Sequence, residues 1–273
     1  MSRKGILNVL VLLFAVTLVA ALFVAGCGEE EETKTEDMTE ETEVTTNEEG
    51  KLLVGSDTTY PPFESIDAGE AVGFDIDIAA EIADRLGLEL QVETVAWEGI
   101  ISGLKTGKYD ILMSAMTITP EREDEIDFCD PYIDSNQSIC VAMDNEDITG
   151  PEDLVDKIVG VQVETTGQYT AEEIEGIAEI RKYETILLAF EDLELGRIDA
   201  IMNDFPVNAW LSGERGKTKV VDTIQTDESY GIGVKKGNDA LKDAINEALE
   251  DMKADGTYDE IYEKWFGTEE TTG

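Results

Sequence analysis

The sequence predicts an α/β fold built as two lobes. Three observations carry that prediction. Short apolar runs alternate with helical stripes along most of the chain, the signature of strands joined through helices into mainly parallel sheets. The alternation stops and restarts after residue 143, which gives two successive sets of elements. The 273 residues suffice for one large domain or two smaller ones.

The elements follow in order. Residues 52–55 read as a short strand. Over residues 75–86, Ile76, Ala79, Ala80, Ile82, Ala83 and Leu86 form a helical stripe that Gly87 ends. Residues 88–95 read as a strand, 97–104 as a helix stopped by Gly107, and 109–113 as a strand. The loop "SAMTITPER" (residues 114–122) enters a helical turn, with Thr119 as cap, Pro120 at the first helical position and Glu121 after it. Extended structure returns at 126–128 and 138–143. In the second set, strands at 158–163, 180–183 and 198–202 alternate with helices at 167–174, 185–195 and 205–211. A weak strand at 220–221 and a strand at 230–234 precede closing helices at 240–253 and 258–266.

Composition excludes several functions. The chain has 62 acidic and 20 basic residues, a formal net charge of −42. Nucleic acids and anionic lipid surfaces both require basic patches, so neither is an expected partner. Charge of this size is best tolerated where salt screens it, which points to a salt-rich habitat or strong solubility pressure. The absence of histidine removes most zinc sites and the Ser-His and Cys-His nucleophile pairs. "GLKTGKY" (residues 103–109) has too few residues between its glycines for a P-loop and no hydroxyl after the lysine; no Gly-x-Gly-x-x-Gly occurs. Calcium-loop spacing is also missing. Neither a cofactor nor a metal is expected.

The N-terminus reads as an export signal. Arg3 and Lys4 precede an apolar run over residues 6–24, then Ala25-Gly26-Cys27. Cysteine after Ala-Gly resembles the lipobox of bacterial-type lipoproteins, which implies cleavage before Cys27, lipidation of Cys27 and display at the outer face of the cytoplasmic membrane or in the periplasm. A plain membrane anchor is the competing reading, since the run is nearly long enough to span. Residues 27–49, acidic and Thr-rich, read as a disordered tether. Cys129 and Cys140 sit in what reads as extended chain, at about 3.3 Å per residue too far apart to bridge, so two free thiols are expected.

"SAMTITPER" has a structural explanation as a helix cap. It also has the parts of an anion site: small residues that admit a ligand, loop amides and hydroxyls, and an arginine able to grip a carboxylate through two bonds. Asp57, Trp97, Arg122, Thr165 and Asp204 all follow strand ends, where open α/β sheets collect ligands. The ordered segments "VGSDTTYPPFE", "GFDIDIAAEIADRLG", "WEGIISGLKTGKYDILMSAMTITPEREDEIDFCDPY", "VGVQVETTGQY" and "GRIDAIMNDFP" together resemble the family-3 extracellular solute-binding proteins, the polar-amino-acid receptors of ABC importers. The resemblance covers about residues 50–267.

It implies a type II periplasmic-binding-protein fold, two α/β lobes joined by two crossovers near residues 132–136 and 228–232. Residues 50–134 and 231–267 would form the first lobe, 135–230 the second, and 268–273 an acidic tail. It implies that Arg122 pairs with a ligand α-carboxylate and that Ala115 and Thr117 offer backbone and hydroxyl groups to the same ligand. Thr165 and Thr166 would add donors to the carboxylate, Asp204 would accept the α-ammonium, and Asp57, Tyr60 and Trp97 would surround the side chain. The implied partners of this expected monomer are a free L-amino acid, a membrane permease and, through it, a cytoplasmic ATPase. Glu164 departs from the glycine common before the Thr pair. It either faces solvent or adds negative charge to the pocket, which with Asp57 would favour arginine or lysine. Tyr60 and Trp97 have core packing as their alternative role. Two rival functions stay open: a cyclohexadienyl-type dehydratase on the same fold, with Glu164 as its pocket acid, and the receptor subunit of a signalling system.

The net charge sets a first expectation. Lowering salt from about 1 M to about 0.01 M lengthens the reach of charge repulsion from about 3 Å to about 30 Å, so the Tm should fall; a Tm independent of salt would contradict self-repulsion as a force on this fold.

Overall fold

A computed structural model of the protein describes residues 44–267. The export signal, Cys27, most of the tether and the acidic tail lie outside the described residues. Residues 44–49, the end of the predicted tether, are fastened rather than loose. Val44 packs against the main core. The Asn47 N–H donates to Asp110 Oδ1 at 2.6 Å, while Asp110 Oδ2 takes the Leu53 N–H at 2.8 Å.

The first lobe opens with β1 (Lys51–Ser56), buried over nearly its whole length. A hairpin of β2 (Ser65–Asp67) and β3 (Glu70–Val72), too short to show periodicity, leads to α1 (Phe74–Arg85). β4 (Glu89–Thr94) and, after α2 (Ile100–Lys105), β5 (Ile111–Leu112) both lie parallel to β1. α2 starts later than its stripe suggests because Gly99 takes φ 84° at its cap; Trp97 therefore stands on the approach loop. α3 (Pro120–Glu123) starts where Thr119 accepts the Arg122 N–H, and β6 (Asp127–Phe128) follows at the sheet edge.

From there β7 (Ile133–Ala142) enters the second lobe, built from β8 (Ile158–Gln162), α4 (Thr166–Glu173), β9 (Glu179–Tyr183), α5 (Ile186–Glu194), β10 (Ala200–Asp204) and α6 (Phe205–Arg215). β11 (Thr218–Tyr230) runs back antiparallel to β7, pairing Ser135 with Glu228 and Ile133 with Tyr230. β12 (Gly233–Val234) then enters the first sheet, and α7 (Asp239–Asp255) and α8 (Thr257–Phe266) complete that lobe. The sheet orders are β4-β1-β5-β12-β6 and β11-β7-β10-β8-β9. Both sheets are mixed. Their parallel pairs come from strand–helix–strand units, and their antiparallel pairs involve the crossing strands and β12. β11 is far longer than the weak strand expected. Its exposed positions Thr223, Gln225 and Asp227 alternate with Ile224, Thr226 and Glu228, so its inward face is too polar to register as apolar alternation. Cys129 and Cys140 are free and buried, as expected.

One stitch inside the first lobe fixes the loops beyond its strands. The Phe74 N–H donates to Pro62 O at 2.9 Å and the Asp75 N–H to Phe63 O at 3.0 Å. Gly73 permits this approach: its φ is 147°, and a Cβ there would lie 1.9 Å from the Phe63 carbonyl oxygen. The stitch brings the fully buried carboxyl groups of Glu64 and Asp75 together. Ser114 Oγ donates to Glu64 Oε1 at 2.9 Å, and the Ala115 N–H to Asp75 Oδ2 at 2.7 Å. Tyr132, at the head of the crossing strand, donates its hydroxyl to Asp75 at 2.9 Å. Ala115 is thereby held at φ 45°, a conformation that costs a non-glycine residue energy. Burial holds both carboxyls above the carboxylate range, Asp75 at about 7, with the facing Asp75 pushing Glu64 further up. The two side chains hydrogen-bond each other, which requires a proton on one of them, since two carboxylates can only accept.

Two outcomes are expected. Gly73→Ala should destabilise the fold by on the order of 3 kcal/mol, read as a lower Tm; an unchanged Tm would show that the loop can be rebuilt. The raised carboxyls favour folding below the unfolded-state values, and that contribution is lost as pH rises through about 7 for Asp75. Stability should therefore fall between pH 4 and pH 7, by a few kcal/mol on the scale of about 1.4 kcal/mol per pKa unit. Glu64→Gln, which keeps an acceptor for Ser114, should flatten the fall; an equally steep profile would place its source elsewhere.

Candidate functional site

A pocket lies between the two lobes. All nine residues singled out in the sequence line it: Asp57, Tyr60, Trp97, Ala115, Thr117 and Arg122 from the first lobe, Thr165, Thr166 and Asp204 from the second. They stand at the carboxyl ends of strands, where loops are free to turn inward. Glu64, Ser114 and Gln162 complete the lining.

Arg122 is 9% exposed. Its Nη1 donates to Thr117 O at 2.7 Å and its Nη2 makes a long bond of 3.4 Å to Glu164 O. Its guanidinium carbon stands 5.2 Å from the centre of the half-buried Trp97 ring, a cation–π distance. No carboxylate pairs with it among the described residues. Burial lowers its pKa, opposed by the field of Asp204; a guanidinium nevertheless stays charged.

Asp204 is the opposite pole. Its Oδ2 accepts the hydroxyls of Tyr60 at 2.7 Å and Tyr230 at 2.6 Å, and its Oδ1 accepts Gln137 Nε2. Burial, then the charge of Glu228, pushes its carboxyl up to about 6, against the pull of these three donors. At neutral pH it is still mainly an anion. Asp57 lies at another wall, its carboxylate bonded to Thr59 Oγ1 at 2.8 Å and Gln162 Nε2 at 3.0 Å. Burial raises its pKa while both donors lower it.

The Thr pair opens α4. Thr165 caps the helix, accepting the Gln168 N–H at 3.2 Å and donating to Gln162 O at 2.8 Å. Thr166 Oγ1 donates instead to Glu228 Oε2 at 2.9 Å, and Thr117 Oγ1 donates to the same oxygen at 3.1 Å. Of the two hydroxyls expected to serve a ligand carboxylate, Thr166 gives its proton to Glu228 and Thr165 to Gln162 O in this arrangement. Glu164 is exposed and does not line the cavity. It takes φ 58°, which accounts physically for glycine being suited to that position. Its carbonyl, not its side chain, meets the other lobe, accepting Trp97 Nε1 at 3.2 Å.

Sequence reasoning missed six residues. Gln162 is a polar residue at the end of the otherwise apolar strand IVGVQ, and that position was the available signal. Glu64 and Ser114 adjoin motifs already singled out. Gln137, Tyr230 and Glu228 belong to the crossing strands, whose inward face carries no apolar pattern to mark it.

Comparison with known proteins fits this geometry. Residues 52–268 match the model of the bacterial extracellular solute-binding proteins, family 3. The ABC transporter glutamine-binding protein GlnH of Bacillus subtilis is 36% identical over 263 residues, 94% of each chain. An ancestral arginine-binding protein, solved bound to glutamine, superposes with a TM-score of 0.77 at 42% identity, covering 81% of this chain and 100% of the other. The ancestral amino acid-binding protein AncCDT-1, a precursor of cyclohexadienyl dehydratase, has a TM-score of 0.76 at 44% identity over 80% of this chain and 96% of its own. With these matches to a two-lobed fold closed around a polar cavity, the chain belongs to the family-3 extracellular solute-binding proteins.

Proposed function

We propose that this protein is an extracytoplasmic receptor that binds a free L-amino acid between its lobes and passes it to an ABC importer. One observation carries the reading: a buried guanidinium without a counter-ion among the described residues faces a cavity that has a buried carboxylate, Asp204, on the other lobe. Burying an unpaired charge is costly. A zwitterion relieves the cost, its carboxylate on Arg122 and its ammonium at Asp204. Because the two anchors sit on different lobes, the ligand favours the closed form.

Asp57 and Gln162 offer a carboxylate and a carboxamide to the ligand's side chain, with Tyr60 and Trp97 beside them. That set suits a polar side chain, cationic as in arginine or lysine, or a carboxamide as in glutamine. The Asp57 carboxylate already has two neutral donors, so the pocket does not demand a cation. Export and lipidation at Cys27, the permease and its ATPase remain part of the same proposal. They are supported by the N-terminal sequence and by the family.

The reading as receptor rather than enzyme is supported by the exposure of Glu164, the acid invoked for a dehydratase. A thermal-shift screen of the full chain in high salt, against the twenty amino acids and prephenate, is the direct test. A ligand at a hundred times its Kd should stabilise by about 2.7 kcal/mol. Arg122→Ala should weaken the responding amino acid by about a hundredfold or more, while Arg122→Lys should recover part of the loss. Full affinity in Arg122→Ala would remove the carboxylate anchor. A response to prephenate alone, with turnover, would replace the receptor with the dehydratase.

A further inference from the structure

Glu228 does not line the cavity, yet it controls two groups that do. It stands on β11 beside an irregularity in the ladder: Ile224 pairs with Gln137 and Glu228 with Ser135, so extra residues of β11 are looped out between them. Asp227 takes φ 52° there, and Asn136 Oδ1 accepts the Thr226 and Asp227 N–H groups at 3.0 and 3.3 Å. Irregularities of this kind re-aim side chains. Here the Glu228 carboxylate meets Thr117 Oγ1 of the first lobe, Thr166 Oγ1 of the second, and Gln137 Nε2 at 3.1 Å.

A hydroxyl has one proton and two lone pairs. A carboxylate only accepts, so Thr117 and Thr166 must each give that proton to Glu228. Thr166 Oγ1 gives one lone pair to Gln137 Nε2 at 3.2 Å; the remaining lone pairs of the two oxygens are open to anything else in reach, and both residues line the cavity. Two oxygens fixed as acceptors match an ammonium group and oppose a carboxylate. Gln137 Nε2 reaches both Glu228 and Asp204, so this pair of acceptors adjoins the anionic pole of the site.

We propose that Glu228 is a positioning residue for the ligand's amino group: by taking the protons of Thr117 and Thr166 it makes both hydroxyls acceptors facing the ammonium. The inference rests on the amino-acid receptor reading and adds the group that sets the polarity of its amine end. The carboxylate is then left to Arg122 rather than to the threonine hydroxyls.

Glu228→Gln tests this. The carboxamide keeps the size but presents an N–H to one of the hydroxyls, turning a proton toward the cavity. Titration calorimetry on the full chain would use L-arginine, L-glutamine and their analogues lacking the α-amino group. The expected result is at least about a tenfold loss for the amino acid that wild type binds, with the analogue's affinity changed less than about twofold. Thr117→Val, which removes the hydroxyl, provides a second variant: its loss and that of Glu228→Gln should not multiply in the double variant. Equal losses for amino acid and analogue would overturn the proposal in favour of a general structural role. Unchanged or tighter binding, or fully multiplicative losses, would overturn it as well. Wild type binding none of the twenty amino acids would instead overturn the receptor reading, and the inference with it; wild-type binding that Glu228→Gln leaves unchanged fails the inference alone.

Discussion

The structure depends first on one buried positive charge that no carboxylate among the described residues pairs with. A protein with a net charge of −42 has carboxylates in excess, yet Arg122 pairs with none of them among the described residues. Its polar contacts are carbonyl oxygens, from its own loop and from the opposite lobe. Everything around it maintains that condition. Trp97 covers one face of the guanidinium. Asp204, the carboxylate whose field acts on it most strongly, is occupied by two tyrosine hydroxyls and an amide. Glu228 is occupied by two threonines and the same amide. The internal anions are held by neutral donors, and the cation remains available.

The same economy of charge appears in the first lobe. Glu64 and Asp75 are buried together without a basic partner, a combination that ionised carboxylates would not tolerate. Kept partly protonated, they act as hydrogen-bonding posts for Ser114, Ala115 and Tyr132. One pair therefore sets the shape of the cavity loop and the start of the crossing strand. Loop and hinge are parts of one network, and the strain at Ala115 is the local cost.

The alternation of strand and helix was legible because the elements of both lobes bury apolar faces with clear periods. The Thr119-Pro120 start of α3 was legible from local chemistry alone. The nine cavity residues came from motifs whose order resembles a family, not from spacing by itself. What escaped had physical reasons. The hairpin at residues 65–72 is too short for a period to develop. β11 buries Thr226 and Glu228 rather than apolar side chains, so hydrophobic pattern reads only its first residues. Residues 44–49 look like tether by composition, yet the Asp110 carboxylate across the lobe captures the Asn47 N–H. Glu228 is ordinary in sequence; only the looped-out residues before it bring its carboxylate to the threonines.

Side chains and backbone of the two lobes also bond to each other directly. Tyr60 reaches Asn203 and Asp204, Gln162 reaches Asp57, and Trp97 reaches the Glu164 carbonyl. A closed shape that holds itself together makes opening a separate event before any solute can enter. For the receptor proposed above, uptake of ligand would be paced by that opening, and the association rate would level off once solute is abundant. The measured affinity is the intrinsic one reduced by the fraction of molecules open at a given moment. Residues outside the cavity lining, Asn203 among them, would in this way share in setting how tightly a solute is held.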